Sequence, residues 1–316
     1  MEVTERQRRL LALCAIRVGD RSVDWSLIAR EALKPGGLEE LESARLTEKS
    51  VSASDGQRIL KAGLKQQTEW LQRVDDELAA AEAVGAELVT VLDKEYPINL
   101  RLIFNLPPFL FYRGGPWRRA DTKSVAVVGT RDASPRGLER ARQLSERLVQ
   151  EDVVVVSGMA RGIDTAAHTA TLDAGGRTIA VIGTGITKTY PAENKALCER
   201  IVEGGMVVSQ FWPTSSPARW TFPRRNAVMS GIAQGTAVIE ASSTSGAKMQ
   251  ARLALEHGKK VFLLKSLVTD QNWAQTYVNR RGAIEVDSVD DIIAQLSDPD
   301  RIQDVTASRQ LAFELT

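Results

Sequence analysis

Short runs of apolar residues, rich in valine and isoleucine, alternate with longer amphipathic segments beyond residue 88. Near-continuous apolar runs are typical of strands covered on both faces of a sheet. The segments between them have helical spacing and the length of crossover connections, which predicts an extended Rossmann-like α/β fold with a mainly parallel, doubly wound sheet. The predicted strands are 124–128, 153–157, 178–182, 206–209, 236–240 and 260–264, the helices between them are 137–150, 162–174, 193–203 and 244–257, and a last strand and helix are 282–286 and 288–296.

The first part of the chain has helical patterns and little else. Apolar positions spaced alternately four and three apart, from Leu60 to Ala81, predict one helix that packs along a single face of the main domain. A dimer or partner helix is the alternative, although three heptads are too few to require a coiled coil. The pattern therefore predicts a small helical unit (1–85), a Rossmann-like domain (86–297) and a polar tail (298–316).

Composition narrows the classes of function. A chain of 316 residues with 43% hydrophobic content can bury one sizeable core and a smaller accessory unit. The net charge of +1 gives no global basic excess, so any site for a polyanion must come from local clustering. Cys14 and Cys198 lie far apart in apolar helical patterns, which excludes a zinc motif and indicates a reducing cytoplasm. No apolar run approaches the roughly 18 residues of a membrane span, so neither secretion nor membrane insertion is expected.

Turns rich in small residues follow several predicted strands. The segment 157–164, Ser-Gly-Met-Ala-Arg-Gly-Ile-Asp, closes a strand of valines and opens a helix, where backbone amides and an arginine favour anions. Similar turns are Gly129-Thr130-Arg131, Gly183-Thr184-Gly185 and Ser245-Gly246. Ligands of doubly wound sheets bind beyond the carboxyl ends of the strands, so these turns predict one rim that faces phosphates.

Two common nucleotide motifs are missing from this rim. The turn 129–137 lacks the three-glycine dinucleotide fingerprint, and the second strand ends in Ser157 instead of the acid that would hold a ribose. No glycine-rich turn is followed by the Lys-Ser or Lys-Thr pair of an ATP-binding loop. We therefore expect no dinucleotide cofactor, no ATP hydrolysis and no metal site.

The remaining rim residues are mostly cations and aromatics. Arginine offers a planar fork to phosphate oxygens, and aromatic rings offer stacking faces to unpaired bases, so the combination favours single-stranded nucleic acid. The alternative is that the arginines are ordinary surface residues and the aromatics cap the core. The cations are Arg131, Arg136, Arg161, Lys188, Arg219, Arg224, Arg225 and Lys248, and the aromatics are Tyr190, Trp212, Trp220 and Phe222.

Residues 88–296 resemble the DNA-processing protein A family (DprA, also called Smf), through seven motifs in order. The resemblance implies an extended Rossmann fold that binds single-stranded DNA, acts as a dimer, delivers the DNA to the RecA recombinase in natural transformation, and has no catalytic residues. The motifs are Asp93–Pro97, Pro107–Gly114, Val128–Arg131, Ser157–Asp164 with Ala167-His168, Gly185 with Tyr190-Pro191, Phe222–Asn226, and Glu240-Ala241 with Ser245-Gly246.

The resemblance also implies a set of residues that contact DNA or phosphate, namely Gly129, Thr130, Arg131, Ser157, Gly158, Arg161, Gly162, Lys188, Arg224, Arg225, Asn226, Ser245 and Gly246. Asp164 is expected to cap or brace the helix entered at Gly162, and a plain acid at a helix N-terminus is the alternative to a direct functional role. His168 has no nucleophile or metal partner nearby in sequence, so we expect a packed, hydrogen-bonded residue. His257 is expected to be a charge at a helix C-terminus.

The chain departs from the family pattern in several functional stretches. The usual Ser-Glu after the fourth strand is Ser209-Gln210, and the usual second arginine after the Arg-Asn pair is Ala227. After Ser245-Gly246 the family continues with a small apolar residue and Thr-Ala, whereas this chain has Ala-Lys-Met-Gln-Ala (247–251), and Lys265-Ser266 replaces Pro-Gly. Some DNA contacts and the delivery to RecA are therefore expected to differ, and no winged-helix domain is expected after Leu296.

Two other functions fit related Rossmann folds. Phosphoribohydrolases carry a catalytic glutamate after their glycine-rich loop, but Gly246 is followed here by Ala-Lys-Met-Gln, so acid–base catalysis lacks its carboxylate. Glu240 precedes that loop and is expected to brace it. A nucleotide-binding sensor, for example in an antiphage system, would use the same pocket without salt-sensitive DNA affinity. DNA binding ranks first, sensing second and hydrolysis third.

Overall fold

The computed structural model describes residues 1–298 and residue 302, so most of the predicted polar tail lies outside the described residues. The chain begins with α-helices, as predicted, and a small antiparallel hairpin. Thr4 caps the first helix, because its side chain accepts a hydrogen bond from the Gln7 amide and the Gln7 side chain accepts one from the Thr4 amide. The elements of this region are α1 (Glu5–Ala15), β1 (Arg17–Val18), β2 (Arg21–Ser22), α2 (Trp25–Ala32), α3 (Gly37–Glu42), α4 (Val51–Gly63) and α5 (Gln67–Glu82).

The prediction of one continuous helix from Leu60 to Ala81 is wrong. Helix α4 ends at Gly63, a 3₁₀ turn follows, and α5 begins at Gln67. The break has a structural cause, since the Trp70 indole donates a 2.8 Å hydrogen bond to the Gly63 carbonyl oxygen. A Cβ at position 63 would lie 2.2 Å from the Ile16 side chain, so only glycine lets the chain pass so close to Ile16.

The main domain contains a nine-stranded sheet in the described part of the chain, with strand order β11-β10-β9-β5-β6-β7-β8-β4-β3. All neighbouring strands are parallel except β4, which is antiparallel to both β3 and β8. Val125 at the centre pairs with Val155 on one side and Gly235 on the other. The strands are β3 (Glu87–Thr90), β4 (Phe109–Gly114), β5 (Ser124–Val128), β6 (Val154–Ser157), β7 (Thr178–Val181), β8 (Met206–Ser209), β9 (Gly235–Val238), β10 (Lys260–Leu264) and β11 (Ile284–Val286).

The helices cover both faces of this sheet, which confirms the predicted doubly wound class. From β5 the chain winds outward through β6, β7 and β8, and then returns to β9 on the other side of β5. The order reverses between β5 and β9, which makes this the topological switch point where such sheets bind ligands. The helices are α6 (Pro135–Gln150), α7 (Ile163–Asp173), α8 (Lys195–Gly204), α9 (Thr221–Ile232), α10 (Gly246–Glu256), α11 (Lys265–Asp270), α12 (Asn272–Arg281) and α13 (Val289–Ile293).

The sequence patterns missed several of these elements. Strands β3 and β4 and helices α9, α11 and α12 were not predicted, although strands β5 to β11 and the crossover helices α6, α7, α8 and α10 were. Helix α9 matters most for the rim, because it contains Phe222, Arg224, Arg225 and Asn226 in a segment that had no assigned structure. These four residues therefore lie on a rigid element at the carboxyl end of the sheet.

The N-terminal helices share an apolar core with the sheet. The ring centroids of Trp25 and Phe109 lie 4.9 Å apart, and those of Phe109 and Trp212 lie 5.0 Å apart. Trp212 is 5% exposed, so its predicted role as a stacking face for DNA is wrong. The Glu77 carboxylate on α5 accepts hydrogen bonds from the Thr214 amide and hydroxyl at 2.9 and 2.8 Å. Helix α5 thus holds the loop that follows β8.

Both histidines lie in packed surroundings. His168 on α7 is fully buried, with Nδ1 2.7 Å from the Thr178 hydroxyl, which confirms the predicted packing. Burial lowers its pKa to about 3, and the Arg225 charge adds to that effect. His257 lies at the C-cap of α10, but burial lowers its pKa as well, and its Nδ1 lies 3.0 Å from the Ser230 hydroxyl. The prediction that His257 is a charge at the helix C-terminus is therefore wrong.

In residues 1–298 and 302, none of the helices combines the length and the apolar character that crossing a bilayer would require.

The buried His168 should make folding stability depend on pH. Its pKa is about 3 in the folded protein and about 6.5 in the unfolded chain, so only the unfolded state takes up its proton as the pH falls through this window. This proton uptake by His168 in the unfolded chain should lower the free energy of unfolding by about 2 kcal/mol between pH 7 and pH 5. Urea unfolding at pH 7, 6 and 5 measures this effect. Between pH 7 and pH 5 the His168→Gln variant should lose about 2 kcal/mol less unfolding free energy than the wild type. The same pH slope in both proteins would contradict this assignment.

Candidate functional site

The turns after β5 and β6 meet at the carboxyl edge of the sheet. The Thr130 amide donates to the Glu240 carbonyl oxygen at 2.7 Å, and the Ile163 amide donates to the Thr130 carbonyl oxygen at 3.3 Å. Gly162 has a φ of +75° and lies so close to the β5 turn that a Cβ would be 2.4 Å from the Thr130 oxygen. Glycine is therefore required at this position, and the contact fixes the Gly129–Arg131 turn against the start of α7.

Asp164 braces the turn between β6 and α7, which precedes the helix that it was expected to cap or brace. Its Oδ2 accepts hydrogen bonds from the Gly158 and Ala160 amides at 3.1 and 3.3 Å. Burial raises the pKa of Asp164, an effect opposed by Arg225 and by these amides. The Ser157 hydroxyl donates to the Val127 carbonyl oxygen at 2.7 Å. Two amides of the predicted phosphate turn are thus already occupied, and Ser157 and Gly158 shape the turn from inside.

Arg225 is buried, whereas the sequence suggested a cation on the rim. Its guanidinium is buried and donates to the carbonyl oxygens of Gly158 and Val181, the second at 2.9 Å. A Cβ on Gly158 would lie 1.7 Å from Nη1, so the glycine makes room for the guanidinium. Burial lowers the pKa of Arg225, and Asp164 opposes that shift. Arg225 supports the floor of the rim, whereas its neighbour Arg224 is exposed.

Cations and aromatic rings are paired on the exposed surface of the rim. The Arg131 guanidinium lies 5.7 Å from the centroid of the Phe222 ring, whose other neighbour is Tyr190 at 5.8 Å. The Arg224 guanidinium lies 5.1 Å from the Trp220 ring. Trp220 is 57% exposed and Tyr190 is 45% exposed, which is unusual for rings of this size.

Other predicted cations lie around these pairs. Arg161 is exposed and lies 3.7 Å from Glu193. The Lys188 ammonium donates to the Ser216 hydroxyl at 2.8 Å on the neighbouring loop. The Lys248 ammonium donates to the Ser243 carbonyl oxygen at 3.1 Å, in the loop that precedes α10. Arg136 lines a separate groove with residues of α11 and β11.

A cavity of about 420 Å³ opens at the switch point between β5 and β9. It brings together Asn226 from α9, the turn after β5 and the start of α10, where the Ser245 hydroxyl caps the helix by accepting from the Lys248 amide at 3.2 Å. A second cavity of about 210 Å³ adjoins it and shares Arg131, Phe222 and Arg225. Of the predicted site residues, the first cavity is lined by Gly129, Thr130, Arg131, Arg225, Asn226, Ser245 and Gly246, and the second by Arg131, Gly158, Arg161 and Arg225.

Two of the three carboxylates near this cavity, Glu240 and Asp164, have structural partners. Glu240 accepts from the Ser134 hydroxyl at 2.8 Å, so it braces the loop before α6 and not, as predicted, the loop before α10. Asp164 is held by amides, and Asp132 is exposed at the edge of the cavity. Within residues 1–298 and 302, no group of three or more His, Cys, Asp or Glu side chains is arranged to hold a metal ion. Sequence reasoning missed Gln250, which lines the cavity from α10.

Comparison with known proteins agrees with this architecture. A family profile described as DNA recombination-mediator protein A matches residues 87–297. The chain is 36% identical over 224 residues to the DNA processing protein DprA of Streptococcus pneumoniae, covering 71% of this chain and 79% of that protein. It is 31% identical over 256 residues to DprA of Bacillus subtilis, covering 80% and 86%.

Two solved structures share the fold. The X-ray structure of DprA from Streptococcus pneumoniae superposes with a TM-score of 0.70 at 28% identity, covering 94% of this chain and 100% of that one. DprA from Helicobacter pylori, whose structure is described in terms of its single-stranded DNA binding mode, gives a TM-score of 0.59 at 22% identity, covering 66% and 94%. The second likeness concerns the fold alone.

The buried position of Arg225 predicts a large loss of stability on substitution. Arg225→Met should lower the free energy of unfolding by about 3 kcal/mol, because the Gly158 and Val181 carbonyls lose their donor and Asp164 loses its nearby cation. Arg224→Met, one residue earlier and exposed, should change it by less than about 0.5 kcal/mol. Urea denaturation of both variants measures the difference, and equal stabilities would show that Arg225 does not support the turn.

Proposed function

The chain belongs to the DNA recombination-mediator protein A family, and on this basis we propose that it binds single-stranded DNA along the carboxyl edge of its sheet. The observation that carries the proposal is the pairing of exposed cations with aromatic rings of the rim, Arg131 with the half-buried Phe222 and Arg224 with the exposed Trp220. Guanidinium groups bind phosphate oxygens, and rings stack on bases whose faces are not covered by a complementary strand. This combination favours single strands over duplex DNA.

The arrangement supports binding with little dependence on sequence over most of the strand. Phosphates carry no sequence information, and stacking tolerates every base. Arg161 and Lys188 extend the cationic surface beyond the two cation–ring pairs. Their partners Glu193 and Ser216 are both exposed, so a phosphate can displace them.

The further steps of the proposal follow from the family. The protein would act as a homodimer in the cytoplasm, protect incoming DNA, and load a RecA-type recombinase on it during natural transformation or recombination. It would do so without catalysis, since Asp164 is bonded to backbone amides and Glu240 to the Ser134 hydroxyl. Loading of RecA on oligonucleotides coated with single-strand-binding protein tests this step, and light scattering tests the dimer.

A nucleotide-binding sensor is the second candidate. The cavity at the switch point has a volume of about 420 Å³, within the range of small-molecule sites, so it could hold a free mononucleotide. The two functions differ in their response to salt. Binding of a strand releases counterions from several phosphates, whereas binding of one nucleotide involves few.

Fluorescence anisotropy with a labelled oligonucleotide tests the proposed DNA site. The wild-type protein should bind single strands more tightly than duplex, with a logarithmic dissociation constant that rises linearly with the logarithm of salt concentration. Arg131→Glu should weaken single-strand binding and flatten the slope by about 0.7, because one phosphate contact is lost. Arg224→Glu should act in the same way.

The control for these variants is Arg58→Glu on α4, since Arg58 is 76% exposed at its side chain and belongs to the N-terminal helices. It changes the net charge equally and should leave the slope unchanged. Arg225 is unsuitable for this test because it is buried and its substitution is expected to lower stability. If folded Arg131→Glu and Arg224→Glu proteins bind like the control, the strand does not cross this surface.

A further inference from the structure

A groove of about 620 Å³ lies beside the rim, between α6 and the segments that follow β10 and β11. Its volume is within the range of ligand sites in proteins. Leu264 and Val289, both half-buried, give it apolar walls, and none of its described lining residues is aromatic. We call it the α6 groove, and the residues that line it include Arg136, Arg140, Leu264, Lys265, Thr269 and Val289.

Two arginines of α6 line this groove without a partner. Arg136 is exposed and Arg140 is half-buried, and neither guanidinium forms an ion pair or a hydrogen bond within residues 1–298 and 302. By contrast, Arg142 and Arg147 on the same helix are each paired with two carboxylates. Residues four apart are neighbours on a helix, and like charges at this spacing destabilise it. Two adjacent, uncompensated cations beside a groove therefore indicate an anionic ligand.

Nearby groups do not neutralise this pair of cations. Asp287 is paired with Lys265 at 3.0 Å, and Asp270, which also lines the groove, forms no ion pair with either arginine. The backbone amides at the start of α6 are not the anion-binding element, because the Ser134 hydroxyl caps the helix and in turn donates to the Glu240 carboxylate. The two guanidinium groups are thus the part of the groove that would hold an anion.

We propose that the α6 groove binds phosphate groups, and that these belong to the same DNA strand beyond the rim. The inference rests on the proposed binding of single-stranded DNA and adds a second region of contact. Arg136 follows Arg131 by five residues, so their Cα atoms lie at most about 18 Å apart, which is about five nucleotides at the duplex spacing of about 3.4 Å. One strand can therefore reach both residues.

A second connecting segment also joins the groove to the rim. Ile239 at the end of β9 lines the α6 groove, and Ser242, three residues later, lines the switch-point cavity. The groove and the cavity therefore lie on the two sides of one short loop at the carboxyl edge of the sheet. A strand that leaves the cavity on this side meets Arg136 and Arg140.

The composition of the groove indicates contact with the backbone of the strand. Guanidinium groups four residues apart on a helix can hold one phosphate from two sides or two successive phosphates. Without an aromatic ring in the groove, bases find no stacking face there. Since phosphates carry no sequence information, the groove should add to the salt dependence of binding and not to a base preference.

The test is fluorescence anisotropy with a labelled thymidine oligonucleotide of about 20 nucleotides, long enough for an extended site. Arg136→Gln and Arg140→Gln should each weaken binding and flatten the salt slope by about 0.7, because each removes one phosphate contact. Arg142→Gln is the matched control, since it makes the same change of charge on the same helix at a residue that carboxylates hold. Its slope should equal that of the wild type.

The outcomes separate this inference from the proposed function. If Arg131→Glu flattens the slope but Arg136→Gln and Arg140→Gln behave like the control, the strand binds the rim alone and the inference is overturned. If the two groove variants flatten the slope and Arg131→Glu does not, the groove is supported and the proposed path across the rim is overturned.

If no oligonucleotide binds, calorimetry with thymidine monophosphate decides between the two sources of phosphate. Binding that Arg136→Gln and Arg140→Gln both lose, and that Arg142→Gln keeps, would support the groove as a phosphate site with a free nucleotide as its ligand. Absence of binding to the monophosphate as well would overturn the inference together with the proposed function.

Thermal unfolding of the free protein excludes a purely structural role for the two arginines. Because neither guanidinium has a partner among the described residues, the melting temperatures of Arg136→Gln and Arg140→Gln without DNA should be unchanged or higher. Lower melting temperatures in both variants would show that these cations stabilise the fold, which contradicts the inference.

Discussion

The buried Arg225 guanidinium is the contact on which the geometry of the rim depends. It bonds the carbonyl oxygens of Gly158 and Val181, which belong to the ends of two neighbouring parallel strands, and it comes from α9, the helix that also carries Phe222 and Arg224. One side chain thus fixes the distance between the strand ends and the exposed cation–ring pairs. Because the guanidinium is desolvated there, it can persist only with these acceptors and the nearby Asp164 carboxylate.

The rim is also fixed from outside the sheet. Glu77 on α5 bonds Thr214, and Trp212 in the same loop packs against Phe109 and Trp25. The loop continues to Ser216, which accepts from Lys188 on the turn after β7. The N-terminal helices therefore reach the proposed DNA surface through one loop, and their packing and the position of Lys188 are coupled by direct contacts.

Elements with a local hydrophobic pattern could be predicted from the sequence. Elements whose structure depends on the strand or helix against which they pack were missed. Continuous valine runs such as Val153–Val156 identify central parallel strands wherever they pair. Strand β4 contains Tyr112 and Arg113 and lies antiparallel between β8 and β3, which no local pattern shows. Likewise, Arg224 and Arg225 are identical in sequence type, and only the orientation of α9 makes one exposed and the other buried. Gln250 escaped notice because its place in the wall of the cavity exists only in three dimensions.

The central claim is that a single strand of DNA crosses the surface formed by Tyr190, Phe222, Trp220 and their cations. Photo-crosslinking with an oligonucleotide that carries 5-iododeoxyuridine tests it most directly, because halogenated bases crosslink to the aromatic rings on which they stack. Peptide mapping by mass spectrometry should place the crosslinks at Tyr190, Trp220 or Phe222, and they should disappear when these three are replaced by leucine. Crosslinks confined to the N-terminal helices, or unchanged in the leucine variants, would contradict the account.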